Sequence, residues 1–342
     1  MDFRSDNVHG AHPKVLQALV EANAGPASSY GEDPWTERLR EKLAAVFERD
    51  VWVLPVATGS AANALALAAY LKPWQAVYCH YEAHINVDEC GGPEFFSGGS
   101  KLIDLPGEGA KIAPETVERA IAGEGSVHAV QPGALSITQA TEMGTVYKPA
   151  EIAALSAVAK RHAMALQMDG ARFANALVSL GCTPAEMTWK AGVDALSFGA
   201  TKNGCLMAEA IMLFDGAKAE ELAYRRKRAG QLLSKMRLAS AQLVAYLEDD
   251  LWLANARHAN AMAVQLAQGL ERIGLPTLLP VEANELFVHL PKAAAKALQD
   301  AGYRFHDWAA LGPDAYRLVT AFNTEEQAVE GFLAAVRQAK AA

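Results

Sequence analysis

The sequence predicts an α/β fold, with a large domain built on a mostly parallel sheet and a smaller C-terminal α+β domain. Three observations predict it. Short β-branched or apolar runs alternate with longer helical patterns through the first half of the chain. The run 51–56 passes straight into Thr58-Gly59-Ser60 and a helical pattern, the order of a strand–turn–helix unit. Beyond Asp249 the rhythm changes to long helices separated by isolated alternating strands. We therefore expect an N-terminal arm and large domain in 1–249 and a small domain in 250–342.

The elements follow in order. Helical spacing predicts helices over 13–23 and 36–47, then a strand over 51–56 and a helix over 61–71. Further strands are expected at 76–79, 101–104, 127–130, 134–138, 165–168, 195–198 and 210–214, with helices at 114–122, 149–162 and 183–191 between them. A long helical stretch is expected from 216 through 249. The small domain reads as helix 252–273, strand 286–290, helix 291–301, strand 317–321 and helix 324–341. No internal repeat and no low-complexity tract interrupts this order.

Composition narrows the function. A chain of 342 residues, 51% apolar and 20% charged, has the balance of a globular enzyme rather than a disordered or membrane chain. Thirty-one Lys and Arg against 39 Asp and Glu give −8, which makes nucleic acid or an acidic membrane an unlikely main partner. A small-molecule ligand is expected. The start Met1-Asp2-Phe3-Arg4 is charged and lacks an apolar signal region, and the longest apolar run, 61–71, falls short of the roughly 20 residues that span a bilayer. Cys79, Cys90, Cys182 and Cys205 lie far apart with no C-x-x-C pair, which predicts reduced thiols in the cytoplasm and no metal site.

Two strand ends carry the chemistry. Ala165-Leu-Gln-Met-Asp169-Gly-Ala-Arg172 ends an apolar strand in an acid, where open α/β sheets bind ligands. Asp194-Ala-Leu-Ser-Phe-Gly-Ala-Thr201-Lys202 ends the next in small residues and one lysine. A lysine there can form a Schiff base, and an aspartate can stabilise the protonated nitrogen of a pyridine ring. These are the polar demands of pyridoxal phosphate. An N-cap role for Asp169 and a solvated Lys202 are the plainer readings, and only the pairing outweighs them. Thr58-Gly59-Ser60 opens a helix, so its free amides and dipole suit a phosphate. His84, after a strand, could lie on a flat cofactor or be a structural histidine. Arg317 sits in an alternating strand and needs an anion, which a substrate carboxylate supplies. The basic run from Tyr224 to Arg228, with Lys235 and Arg237, reads either as a solvated helix face or as cations for a neighbouring subunit.

Together these residues resemble the threonine aldolase family, pyridoxal-phosphate enzymes of fold type I. The resemblance rests on Arg4-Ser5-Asp6, Tyr30-Gly31-Glu32-Asp33, Thr58 to Asn63, Ala83-His84, Met168 to Phe173, Thr201 to Gly204 and Arg317-Leu318-Val319, and runs from residue 2 to the C-terminus. Ser5-Asp6-Asn7, Asp88-Glu-Cys-Gly, Pro93-Glu-Phe-Phe and the stretch Ile137 to Tyr147 are most similar to its low-specificity and phenylserine aldolase branch.

The resemblance implies that Lys202 bonds the cofactor, Asp169 meets its ring nitrogen, His84 stacks on the ring, and Gly59 with Ser60 cups the phosphate. It implies that Ser5, Arg172 and Arg317 hold the substrate carboxylate, that Tyr30 lines the site, and that Lys227 and Arg237 reach the phosphate of an adjacent subunit in a dimer or tetramer. Many members carry a histidine where this chain has Glu142. The base is thus open among His84, His128, Glu142 and a bound water. The implied reaction is reversible cleavage of L-threonine, L-allo-threonine or L-phenylserine to glycine and an aldehyde. A β-eliminating lyase or aminotransferase on the same scaffold is the competing enzyme, and a non-catalytic binding protein the competing class.

Overall fold

The computed structural model describes residues 1–341. Seven strands, β1 (Trp52–Val56), β2 (Gln75–His80), β3 (Lys101–Leu105), β4 (Gln131–Thr138), β5 (Ala165–Gly170), β6 (Ala195–Gly199) and β7 (Glu209–Leu213), form one sheet in the order β1-β7-β6-β5-β4-β2-β3. From β3 across to β6 every pairing is parallel, whereas β7 runs against both β6 and β1. The C-terminal ends of β1, β2, β4, β5 and β6 therefore share one edge of the sheet with the first residue of β7. That edge builds the site. β6 and β7 are buried at every position, which is why they read as unbroken apolar runs without alternation.

Three expectations are corrected. The run 127–130 is loop, with Val127 95% exposed and β4 starting only at Gln131. Gly123 and Gly125 take positive φ there, and the Gln131 side chain bonds back to Gly123, Ser126 and Ala129 carbonyls, closing a turn where a strand was expected. The stretch 216–249 breaks into helices Ala219–Arg228 and Arg237–Leu247, because Gly230 turns the chain at φ +73°. The stretch 183–191 is a short helix Pro184–Met187 and a separate turn Trp189–Ala191. The helix Phe173–Leu180 and the short ones His84–Val87 and Gly92–Ser97 were not expected.

A second sheet has β8 (Glu285–His289), β9 (His306–Asp307) and β10 (Ala315–Val319) in the antiparallel order β8-β10-β9. The main core gathers Phe47, Phe173, Phe198, Tyr246 and Trp252, and a second core gathers Phe3, Leu266, Val288, Leu318 and Phe332. Helix Leu251–Arg272 serves both, through Trp252 and Ala256 near its start and Met262, Leu266 and Leu270 further on. The N-terminal arm also reaches the second core. Phe3 N–H donates to the Arg304 carbonyl (2.7 Å), and Phe3 O accepts from Val319 N–H (2.8 Å).

Candidate active site

A cavity of about 680 Å³ opens at the shared sheet edge. Asp169 enters it from the end of β5 and is 4% exposed. Its Oδ1 accepts from Ala171 N–H (2.9 Å) and its Oδ2 from Asn63 Nδ2 (2.7 Å). Lys202 enters from the turn Thr201–Asn203 beyond β6. That turn is pinned from behind. Asn203 Nδ2 donates to Tyr246 Oη (2.8 Å) and the Trp252 carbonyl (2.9 Å), while Asn255 Nδ2 donates to Asn203 O (2.8 Å). Gly204 leaves the turn at φ +116°, a conformation that glycine reaches without strain.

Gly59 and Ser60 line the cavity at the start of helix Gly59–Tyr70, whose N-cap Thr58 accepts from Ala61 N–H (3.2 Å). The first amides of that helix and its dipole suit an anion. A Cβ on Gly59 would meet nothing within 4 Å, so the space in front of the turn is open.

His84 lies on the same wall, its Nδ1 2.8 Å from Glu89 Oε1. Asn63 Nδ2 donates to that same Glu89 oxygen (2.9 Å) as well as to Asp169, so one amide bridges the two acids. The bond to Glu89 raises His84 above its ordinary pKa, against the opposing effect of burial, and burial raises Glu89 in turn. Glu142 accepts through Oε1 from Thr138 Oγ1 (2.7 Å) and from the His84 backbone N–H (2.9 Å), while its Oε2 is buried without a partner. Burial pushes its carboxyl up to about 7.

Arg172 and Arg317 line the same cavity and both approach Glu285. Arg172 donates to Asp6 through Nε (2.9 Å) and Nη2 (3.1 Å), and its Nη1 stands 3.6 Å from Glu285. Arg317 donates to the Arg4 carbonyl (3.2 Å), lies 3.9 Å from Glu285 and stacks 4.6 Å over the Trp308 ring. Ser5 lines the cavity beside them. Arg172 is therefore less available to a substrate than the sequence suggests, since two of its donors are taken.

Four expected residues lie elsewhere. His128 is exposed on the loop before β4, at the opposite end of the sheet, and cannot reach the cavity, so it leaves the set of bases. Tyr30, Lys227 and Arg237 are not in the cavity wall of this chain. Lys227 Nζ lies 4.9 Å from the Tyr30 ring centre, and Arg237 donates to the Gly25 carbonyl (2.9 Å). Sequence reasoning missed Asp6, Asn63, Glu89 and Glu209 as site groups. Glu209 carried a usable signal, being an acid set in the apolar run Met207-Ala208-Glu209-Ala210-Ile211.

The sequence signature described as beta-eliminating lyase matches residues 2–293. The chain belongs to the beta-eliminating lyase family. Within this family it is 44% identical over 336 residues to the low specificity L-threonine aldolase of Pseudomonas sp. (strain NCIMB 10558), covering 98% of this chain and 96% of the relative. The enzyme of the same name from Pseudomonas aeruginosa is 44% identical over 328 residues, covering 96% and 94%. A solved threonine aldolase from Leishmania major superposes with a TM-score of 0.93 at 29% identity over 98% of both chains. Aspartate aminotransferase from Thermotoga maritima, 13% identical with a TM-score of 0.75, covers 100% of this chain and 92% of its own, and shares the fold alone.

Members of this lyase family and these fold type I neighbours are pyridoxal-phosphate enzymes. The donor set in the cavity fits that group. A helix start suits its phosphate, a buried carboxylate its ring nitrogen, and a lysine on a rigid turn its aldehyde. Among the described residues no helix is long and apolar enough to cross a membrane.

Proposed function

We propose that the chain is a pyridoxal-phosphate-dependent aldolase, cleaving L-threonine, L-allo-threonine or L-phenylserine-type β-hydroxy-α-amino acids reversibly to glycine and an aldehyde. One observation carries the site assignment: Asp169 and Lys202, 33 residues apart, line one cavity together with Arg172 and Arg317. Lys202 would bond the cofactor, Asp169 would meet its ring nitrogen, His84 would lie against its ring, and Gly59 with Ser60 would hold its phosphate. When bound, the cofactor supplies an electron sink for the bond that breaks.

The chain's own residues do the rest. Arg317, with the remaining Nη1 of Arg172 and the Ser5 hydroxyl, orients the substrate carboxylate. Glu142 and His84 both line the cavity and would be the groups to take the β-hydroxyl proton. Glu142 is the stronger candidate, because its second oxygen has no partner and its carboxyl lies near neutrality, where a general base works best. Asn63 holds Asp169 and Glu89 at fixed separation, so the ring partner and the support of His84 move together.

A second copy of the chain completes the reading. The cavity cations Arg172, Lys202 and Arg317 all serve other roles, and the Thr58-Gly59-Ser60 turn offers a phosphate only neutral donors. Lys227 and Arg237 of a neighbouring subunit would supply the missing charge. Four cysteines without a disulfide support residence in the cytoplasm.

The test is aldehyde release by purified protein with added pyridoxal phosphate from the three substrates side by side. Glycine and aldehyde from any of them supports the aldolase; ammonia and a keto acid instead would make it a lyase.

A further inference from the structure

Glu209 is the first residue of β7, paired in register with Gly199 at the end of β6 and with Val56 at the end of β1. Beyond Gly199 the ladder stops, and the next two amides of the chain need acceptors. Glu209 provides them. Its Oε2 accepts from Ala200 N–H (3.1 Å) and its Oε1 from Thr201 N–H (3.3 Å), the two residues immediately before Lys202.

A neutral acceptor would satisfy two amides, and burying a carboxylate costs free energy unless a cation answers it. Glu209 forms no salt bridge among the described residues, yet it shares the cavity wall with Lys202. Burial pushes its carboxyl up to about 7 while the lysine's charge pulls it down. Lys202 is faced by Asp6 from the arm, His84 from the helix after β2 and Glu209 from β7. Asp6 is already committed to Arg172 and Asn284. Cys205 and Tyr246 flank Glu209, and burial keeps both protonated.

We propose that Glu209 is the positioning residue of Lys202: its carboxylate clamps the backbone that carries the lysine and, when ionised, sets a negative charge against the amine. This rests on the reading of Lys202 as the cofactor lysine.

The experiment is a pH titration of the visible absorbance of the lysine-bound cofactor in the full-length protein, beside thermal melts. Glu209→Gln removes the charge and keeps one acceptor, and it is expected to lower the titration midpoint by about half a pH unit or more, because an opposite charge favours the protonated nitrogen. Glu209→Asp draws the charge back by one methylene and is expected to lower it by less. An unchanged midpoint in folded Glu209→Gln overturns the proposal. If that variant does not fold, Glu209→Asp decides: a lowered midpoint supports the role and an unchanged one overturns it. Borohydride trapping of the parent is mapped in parallel. An adduct away from Lys202 would sink the reading of the lysine itself, a distinct failure.

Discussion

Arg172 closes a two-pronged bond on Asp6, 166 residues earlier in the chain, inside the wall of the cavity. Burial disfavours the ionised acid, but the Arg172 and Lys202 charges outweigh it and hold Asp6 below the ordinary carboxylate range. Its contribution to stability is present at neutral pH and is lost as pH falls through that lowered value. Asp6→Ala leaves a buried guanidinium short of its partner, so unfolding should become easier by about 3 kcal/mol at pH 7. Denaturant unfolding measures it, and a loss under 1 kcal/mol would show the pair to be dispensable.

Glu142 should leave its mark on pH–rate profiles. A base must be ionised, so kcat/KM should rise with pH through about 7. Glu142→Gln should lower kcat by roughly 10²–10³ and remove that limb. A variant with the parent profile would pass the role to His84.

The same group also bears on stability, with opposite sign. A carboxyl raised from 4.5 to about 7 in the folded state stabilises below pH 4.5 and loses that contribution as pH rises through 7. Glu142→Gln should therefore melt higher than the parent at pH 8.5, the stability gain being on the order of 3 kcal/mol, and the gap should close below pH 4.5. Melts at both pH values test this directly.

Lys202→Ala should give no borohydride-reducible adduct and lose at least about 10³ in kcat. Asp169→Ala should lose kcat far more than it raises KM, since its interaction matters most as charge develops. Arg317→Gln should show the converse, raising KM roughly 10- to 100-fold with a smaller change in kcat. Steady-state kinetics on the three variants separates these patterns.

Gly204→Ala probes the lysine turn without touching a charged group. The new Cβ would stand 2.8 Å from Asn255 Nδ2 at φ +116°, disturbing the bond that pins Asn203. We expect a stability loss of about 1–3 kcal/mol and weaker cofactor binding, read by melts and absorbance titration. Normal cofactor affinity would mean that the turn is not what places Lys202.

Sequence reasoning singled out the ends of β5 and β6, where an acid and a lysine follow buried apolar runs, and the structure brings both residues to one cavity. Asp169 and Lys202 each needed the other, 33 residues away, to outweigh a plainer reading. Apolar content alone misled at Val127, where Gly123 and Gly125 in the preceding loop turn the run outward. Glu89 and Asn63 escaped for a different reason. Their meaning lies in each other, 26 residues apart, and in Asp169, 106 residues beyond Asn63. Spacing along the chain does not register such pairs, and only the sheet order, with β4 lying between β2 and β5, brings them together.

The arm gives the molecule a mechanical property. Phe3 is stitched to the small sheet and Asp6 to Arg172, just past the end of β5, and three residues of extended chain span only about 10 Å. The arm is thus a tether of nearly fixed length. Arg172 also stands 3.6 Å from Glu285 of β8, so it is tied to the small sheet twice, directly and through Asp6.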